Sequence, residues 1–493
     1  MRTLGKISVL CVALAAMACG GAKPPPPNNG VKVKGADGSE VAVGAETKKG
    51  YDDAIKAFVE HDQKNDWSDS TCESMAQSFL AANETNKKEM GGKELPEAIY
   101  NAGLSYQRCN KDDQAKKYFQ QALALDPKFH RSKVQIALYD YKSGGDAQLE
   151  ATIASLQQAV LDAEFQNTEA LVNLAMLQMK RAGSNGGQGC QNDLDCAKKN
   201  IQRALAVDDA YMPAFNQLAI YYLERAKEKA GRKSKGMAVG RKKKEKNIDQ
   251  QQLELAALVC SQAIRKNPKY AAIYNTAGLI QVELGNINDA VAKFKMAAEL
   301  DSGFYEALMN YAAVNLGFRG FKNAEEAYRA ALKIKPNDYD GNIGLALAIR
   351  GQITDANLDA NVKEVQDLLD KAKALAPDRP ETYYNAGILT QEYKVKSATD
   401  DKAKIPILDQ ALGLYNDFIG KAGGNADFAD AVKRAKERIS DINDIKKFIT
   451  EGIKAAEEMP PPVDTPSGLE GEKKDETAPG EKKPDDKAPA PTP

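Results

Sequence analysis

Between Ala271 and Pro336 one pattern is written twice with a period of 34 residues. Tyr274, Ala277, Gly278, Ala290, Phe294 and Ala297 occupy positions 4, 7, 8, 20, 24 and 27 of the first copy, and Leu308, Tyr311, Ala312, Ala324, Tyr328 and Ala331 occupy the same positions of the second. Spacings of three and four within each half are the period of a helix face, and a break between the halves makes each copy two helices. Small residues at 8, 20 and 27 let two helices approach closely, while the larger residues at 4 and 24 fill the space beside them. One such hairpin cannot bury its apolar side alone, so copies must stack.

Further copies are spread over the chain. Ile99, Ala102, Gly103, Tyr106, Ala115, Phe119, Ala122 and Pro127 keep the register closely. Looser copies pair Ile136 and Ala137 with Leu156 and Ala159, Leu171 and Ala175 with Ala197 and Ala204, and Phe215 and Ala219 with Cys260 and Ala263. Beyond the regular pair come Leu345 and Ala346 with Leu369 and Ala372, then Tyr383 and Gly387 with Tyr415. The register resembles the tetratricopeptide repeat, and the resemblance implies an all-α fold: a right-handed α-solenoid of about eight helix hairpins.

The chain then divides as residues 1–18, a signal peptide; 19–50, a flexible linker; 51–95, a degenerate first hairpin; 96–423, the array; 424–458, capping helices; and 459–493, a tail. Insertions fall near 181–195 and 225–250. The tail has nine prolines in 35 residues among Lys, Asp, Glu and Gly, a composition expected to be disordered. The linker, with Pro24 to Pro27 and Asn28-Asn29-Gly30, reads as a tether spanning on the order of 30 Å.

Arg2 and Lys6 precede a short apolar run, Ile7 to Ala18, which is too short to span a membrane. Ala16-Met17-Ala18-Cys19 resembles a bacterial lipobox, and that resemblance implies lipidation of Cys19; an ordinary signal peptide with an incidental cysteine is the alternative. The expected address is the periplasm, with a lipid anchor in the outer membrane. In such an oxidising compartment Cys190 and Cys196 flank a short loop, and Cys72 and Cys109 meet at the ends of antiparallel helices. Both are expected disulfides, whereas Cys260 falls at core position 24.

No phosphate loop, zinc-protease motif or nucleophile motif is present, and the two histidines, His61 and His130, lie far from the cysteines in sequence, so neither enzyme, cofactor nor metal is expected. Binding is the expected role. First-helix position 6 carries Asn101, Gln135, Asn173, Gln217, Thr276, Asn310, Gly344 and Asn385, a row of mainly amides suited to the backbone of an extended peptide. It resembles the asparagine ladders of peptide-binding arrays; the cationic clamp some members use for a terminal carboxylate is not evident.

From Arg225 to Lys246 eleven Lys or Arg stand against two Glu, a local +9 on a chain whose total is −1. Arg232, Lys233, Lys235, Arg241, Lys242, Lys243, Lys244 and Lys246 form this pole, expected to attract anionic lipid, acidic polysaccharide or an acidic protein. It contains no aromatic residue for base stacking, and nucleic acid is not expected. The resemblance implies a scaffold or assembly factor for other envelope proteins, with the gliding-motility machinery of myxobacteria as its first association. Pilus secretin assembly, or recruitment of a cell-wall enzyme, is the alternative.

Overall fold

In the computed structural model, residues 32–34, 40–64, 66–183, 189–231 and 249–458 are described. Two short antiparallel strands, β1 (Lys32–Lys34) and β2 (Glu40–Ala42), open them, with Val33 opposite Val41. Helices follow in hairpins: α1 (Ala45–Lys64) with α2 (Asp69–Glu89), α3 (Pro96–Arg108) with α4 (Asp112–Leu125), α5 (His130–Gly144) with α6 (Leu149–Asp162), and α7 (Thr168–Arg181) with α8 (Asp193–Val207). Then come α9 (Met212–Gly231) with α10 (Gln250–Lys266), α11 (Ala271–Leu284) with α12 (Ile287–Leu300), and α13 (Tyr305–Gly317) with α14 (Phe321–Ile334). Last are α15 (Tyr339–Arg350) with α16 (Leu358–Leu375), α17 (Pro380–Glu392) with α18 (Asp401–Ala422), and a final α19 (Ala429–Glu458). This is the all-helical solenoid of the repeat reading: helices touch their chain neighbours and the next but one, and the core runs along the stack as successive apolar clusters.

Local chemistry sets the helix starts. Asn167, Asn192, Asp338 and Asp400 accept from backbone N–H groups three residues on, and Pro96 and Pro380 open α3 and α17, where a missing N–H costs nothing. Within the regular pair the small and large positions mesh as the spacing requires. A Cβ on Gly278 would stand 2.5 Å from Cε1 of Phe294, and Phe294 is fully buried. No larger residue fits there without moving the ring.

Two expectations need correction. The segment read as a flexible linker contains the β1–β2 hairpin and the first turn of α1. Its signal was a period of two, Val31-Lys32-Val33-Lys34 and Glu40-Val41-Ala42-Val43, which puts Val33 and Val43 into the core with Tyr51 and Phe79. Glu89, at the far end of α2, accepts from the Glu46 and Thr47 backbone N–H groups and the Thr47 hydroxyl, at 3.1, 2.9 and 2.6 Å, and so caps α1 from a distance. The capping helices expected at 424–458 are a short 3-10 helix, Ala426–Phe428, followed by one long helix, α19, whose Ala435, Ile442 and Ile449 cover α18. No helix among the described residues is long and apolar enough to cross a membrane.

Candidate binding groove

The larger alternate-helix contacts run between odd-numbered helices: α5 with α7, α7 with α9, α9 with α11, α11 with α13, α13 with α15 and α15 with α17. The first helices therefore crowd the inner side of the curve and line its concave face.

The position-6 row does not lie open on that face. Asn101 Nδ2 donates to the Tyr51 hydroxyl (2.7 Å), and Gln135 donates to Glu169 Oε1 (2.7 Å) while accepting from Gln107 (2.9 Å). Asn173 donates to the Glu169 carbonyl (2.9 Å) and Gln217 to the Met179 sulfur (3.1 Å). Thr276 donates to Asn216 (2.6 Å) and Asn310 to Asn275 (2.9 Å). Asn385 donates to the Glu381 carbonyl (2.8 Å) and accepts from Arg350 (3.0 Å). At Gly344 even a Cβ would strike Tyr328, 2.2 Å away. The row is a seam within and between first helices: position 6 faces the neighbouring hairpin, where a buried amide must find a partner in the protein.

Charges missed by the residue-by-residue reading lie beside this seam. Position 2 carries Glu97, Arg131 and Glu169 in successive repeats, and Glu306, Asp340 and Glu381 further on. Burial raises the Glu169 carboxyl above the usual range against the pull of Arg131, the Gln135 hydrogen bond and Arg108. Arg108 itself grips Asp62 on α1 with two donors, at 2.6 and 2.7 Å. In the later repeats Arg379 joins Asp340 (2.8 Å) to Glu381 (2.9 Å) and lies 3.9 Å over the Tyr339 ring. Recurrence at one repeat position was the available signal; taken singly, each residue looks like an ordinary surface charge.

Cys72 and Cys109 are joined, their Cα atoms 6.3 Å apart, as are Cys190 and Cys196 at 5.2 Å. Cys260 is free, and burial pushes its thiol up to about 12. The first insertion is held by Asp193, which is fully buried: it accepts two bonds from Arg181, at 2.7 and 2.6 Å, and one from the Gly183 N–H at 2.7 Å. Burial alone would raise this carboxyl, but those donors hold it below its usual value. Cys19, the signal segment, the tail, and Arg232, Lys233, Lys235, Arg241, Lys242, Lys243, Lys244 and Lys246 of the basic insertion lie outside the described residues.

Residues 96–129 match the family model of the tetratricopeptide repeat. The chain is 29% identical over 133 residues to the Hsp70-Hsp90 organizing protein of Triticum aestivum, covering 27% of this chain and 23% of that protein. It is 24% identical over 217 residues to Hsp70-Hsp90 organizing protein 1 of Glycine max, covering 43% and 32%. It thus spans less than a third of the length of either curated relative. Among solved structures, a thermophilic tetratricopeptide protein of Thermus thermophilus aligns over 45% of this chain and 99% of its own, with 23% identity and a TM-score of 0.35. The human IFIT1 dimer with m7Gppp-AAAA aligns over 75% and 81%, with 15% identity and a TM-score of 0.42. The family matched is that of a repeat, over residues 96–129, and repeats of this kind serve protein–protein interaction.

Proposed function

We propose that this chain is a lipid-anchored, non-enzymatic scaffold of a bacterial cell envelope, which holds protein partners against its concave face on the periplasmic side of the outer membrane. The observation that carries this reading is the pairing of four cysteines, Cys72 with Cys109 and Cys190 with Cys196, because such bonds persist where thiols are oxidised. The lipobox-like Ala16 to Cys19 supplies the anchor, and the basic insertion adds a salt-sensitive contact for an anionic lipid, polysaccharide or acidic protein. The assembly proposed first is a gliding-motility complex, the association implied by the resemblance.

Palmitate labelling and membrane fractionation of the intact chain and of Cys19→Ala test the anchor: label and membrane retention are expected to vanish together. Retention without label removes the anchor, and free Cys72 in a non-reducing peptide map of exported protein removes the Cys72–Cys109 pairing at the amino end. Mild crosslinking and co-purification, with and without the insertion's Lys and Arg changed to Ser, tests the assembly. Motility components are expected; cell-wall enzymes alone would replace the scaffold reading with that of an enzyme recruiter.

A further inference from the structure

The last helix of the stack is covered on one side only. α19 follows α18 as the first helix of a hairpin follows the second helix of the hairpin before it, and among the described residues no second helix folds back onto it. In a complete hairpin such as α11 with α12, the first helix packs both on the preceding hairpin and on its own second helix. α19 has the first of these contacts: Ala435, Ile442 and Ile449 are buried in the cluster it shares with α18, and Lys446 pairs with Asp409. The place of the second is open.

Apolar side chains occupy that open side. Phe448 is 77% exposed, the most exposed large apolar side chain among the described residues, and Ile445 one turn before it is 44% exposed. Phe448 stands one residue, about 100° round the helix, from buried Ile449, so it belongs to a second face and not to the edge of the first. Further along the same face Gly452 and Ala455 are exposed, and a Cβ on Gly452 would meet nothing within 4 Å. Positions 445, 448, 452 and 455 have the three-and-four spacing of a seam between two helices, large side chains in its first half and small ones in its second. Along one flank run Asp444, Lys447, Glu451 and Lys454, whose signs alternate.

We propose that this face docks a second copy of the chain, the two α19 helices lying antiparallel along the seam of Ile445, Phe448, Gly452 and Ala455. Turned end for end, the seam matches itself. Phe448 meets Gly452 of the second copy and Ile445 meets its Ala455, large against small, while on the flank Asp444 comes beside its Lys454 and Lys447 beside its Glu451. A parallel pair would set Phe448 on Phe448 and every flank charge on its like, which is unfavourable. The same patch serves both copies, so the contact closes at two. Residues 459–493 offer a poorer cover, because Met459, Val463 and Leu469 are their only large apolar residues among nine prolines. The seam is short, about 15 Å from Ile445 to Ala455, which makes the dimer reversible and not obligate. This contact is separate from the concave face and leaves it open in both copies.

The test is sedimentation equilibrium of the full chain in density-matched detergent, at chain concentrations up to about 100 µM. A monomer–dimer equilibrium is expected, with a dimer Kd raised about tenfold by Phe448→Asp. Because Phe448 is exposed, that variant is expected to keep the helix content of the parent by circular dichroism. Two charge variants test the register: Lys447→Glu/Lys454→Glu makes the flank wholly acidic and Asp444→Lys/Glu451→Lys makes it wholly basic. Each alone is expected to dimerise more weakly than the parent, and an equal mixture of the two to recover the parent's affinity, less so at high salt. A chain that stays monomeric throughout overturns the proposal, whether residues 459–493 or another protein covers the face. A dimer that Phe448→Asp leaves unchanged lies elsewhere on the molecule and overturns it as well, and a mixture no tighter than its components overturns the antiparallel seam. Where a charge variant loses helix, Phe448→Asp alone decides.

Discussion

The repeats over α11–α14 and those over α1–α8 solve one stacking problem by different means. In α11–α14 the mesh of small and large side chains is enough: Gly278 beneath Phe294, Ala312 and Tyr328 in one buried cluster, and Ala290, Ala297, Ala324 and Ala331 at full burial. In α1–α8 only α3–α4 keeps the register closely, with Gly103 against Phe119, and covalent and charged ties are added around the looser hairpins. Cys72–Cys109 joins α2 to the end of α3, Arg108 reaches Asp62 on α1, and Arg181 with Asp193 closes the gap between α7 and α8. Where the repeat is regular, packing supplies position and stability together; where it is interrupted, position has to be pinned by directional bonds.

The largest effect is expected from the first staple. Its sequence separation of 37 corresponds to about 4 kcal/mol of loop-closure entropy, against about 2 kcal/mol for Cys190–Cys196 at a separation of 6. Urea unfolding of Cys72→Ala/Cys109→Ala and Cys190→Ala/Cys196→Ala is expected to reproduce that order, and the reverse order would show that native geometry outweighs chain entropy. Next is Gly278→Val, expected to cost about 3 kcal/mol because Phe294 has nowhere to go. Hydrogen exchange should rise in α11–α14 and leave α3–α8 protected; uniform loss of protection would break the view of locally independent repeats.

Asp193→Asn is expected to cost about 2 kcal/mol at pH 7, less than a sealed pair because Arg181 is partly exposed. The Asp193 pKa is lowered on folding, so its contribution is present above the unfolded carboxylate value of about 3.9 and is lost as pH falls through the lower folded value. The gap between wild type and variant, followed by thermal melts, should close in acid. The smallest effect has the opposite sign. Glu169 has its folded pKa raised by burial, so its ionised form opposes folding above that pKa. Glu169→Gln, which keeps an acceptor for Gln135, is expected to gain about 0.5 kcal/mol at pH 7 and nothing near pH 4.

Hairpin order and register could be read from the chain because alternation of small and large residues every 34 positions is a packing instruction. Both cysteine pairs could be proposed from helix lengths and compartment. The groove was less legible. Asn101, Gln135 and Asn310 occur at the repeat position expected, but a residue type does not say whether its donors meet a ligand or a neighbour. The β1–β2 hairpin was hidden by the proline-rich stretch before it, although Val33 and Val43 alternate with polar residues.

The helical period, the break between helices and the need to stack were all legible in the chain, because they follow from side-chain size at fixed spacing. Which polar groups are already spent depends on the packing of one repeat against the next. Glu169, Asn385 and Arg350 belong to different repeats, and each has a partner from another repeat: Glu169 meets Gln135 at 34 residues and Asn385 meets Arg350 at 35. Hydrogen bonding and desolvation act over a few ångströms in space, and the curvature of the stack sets those distances.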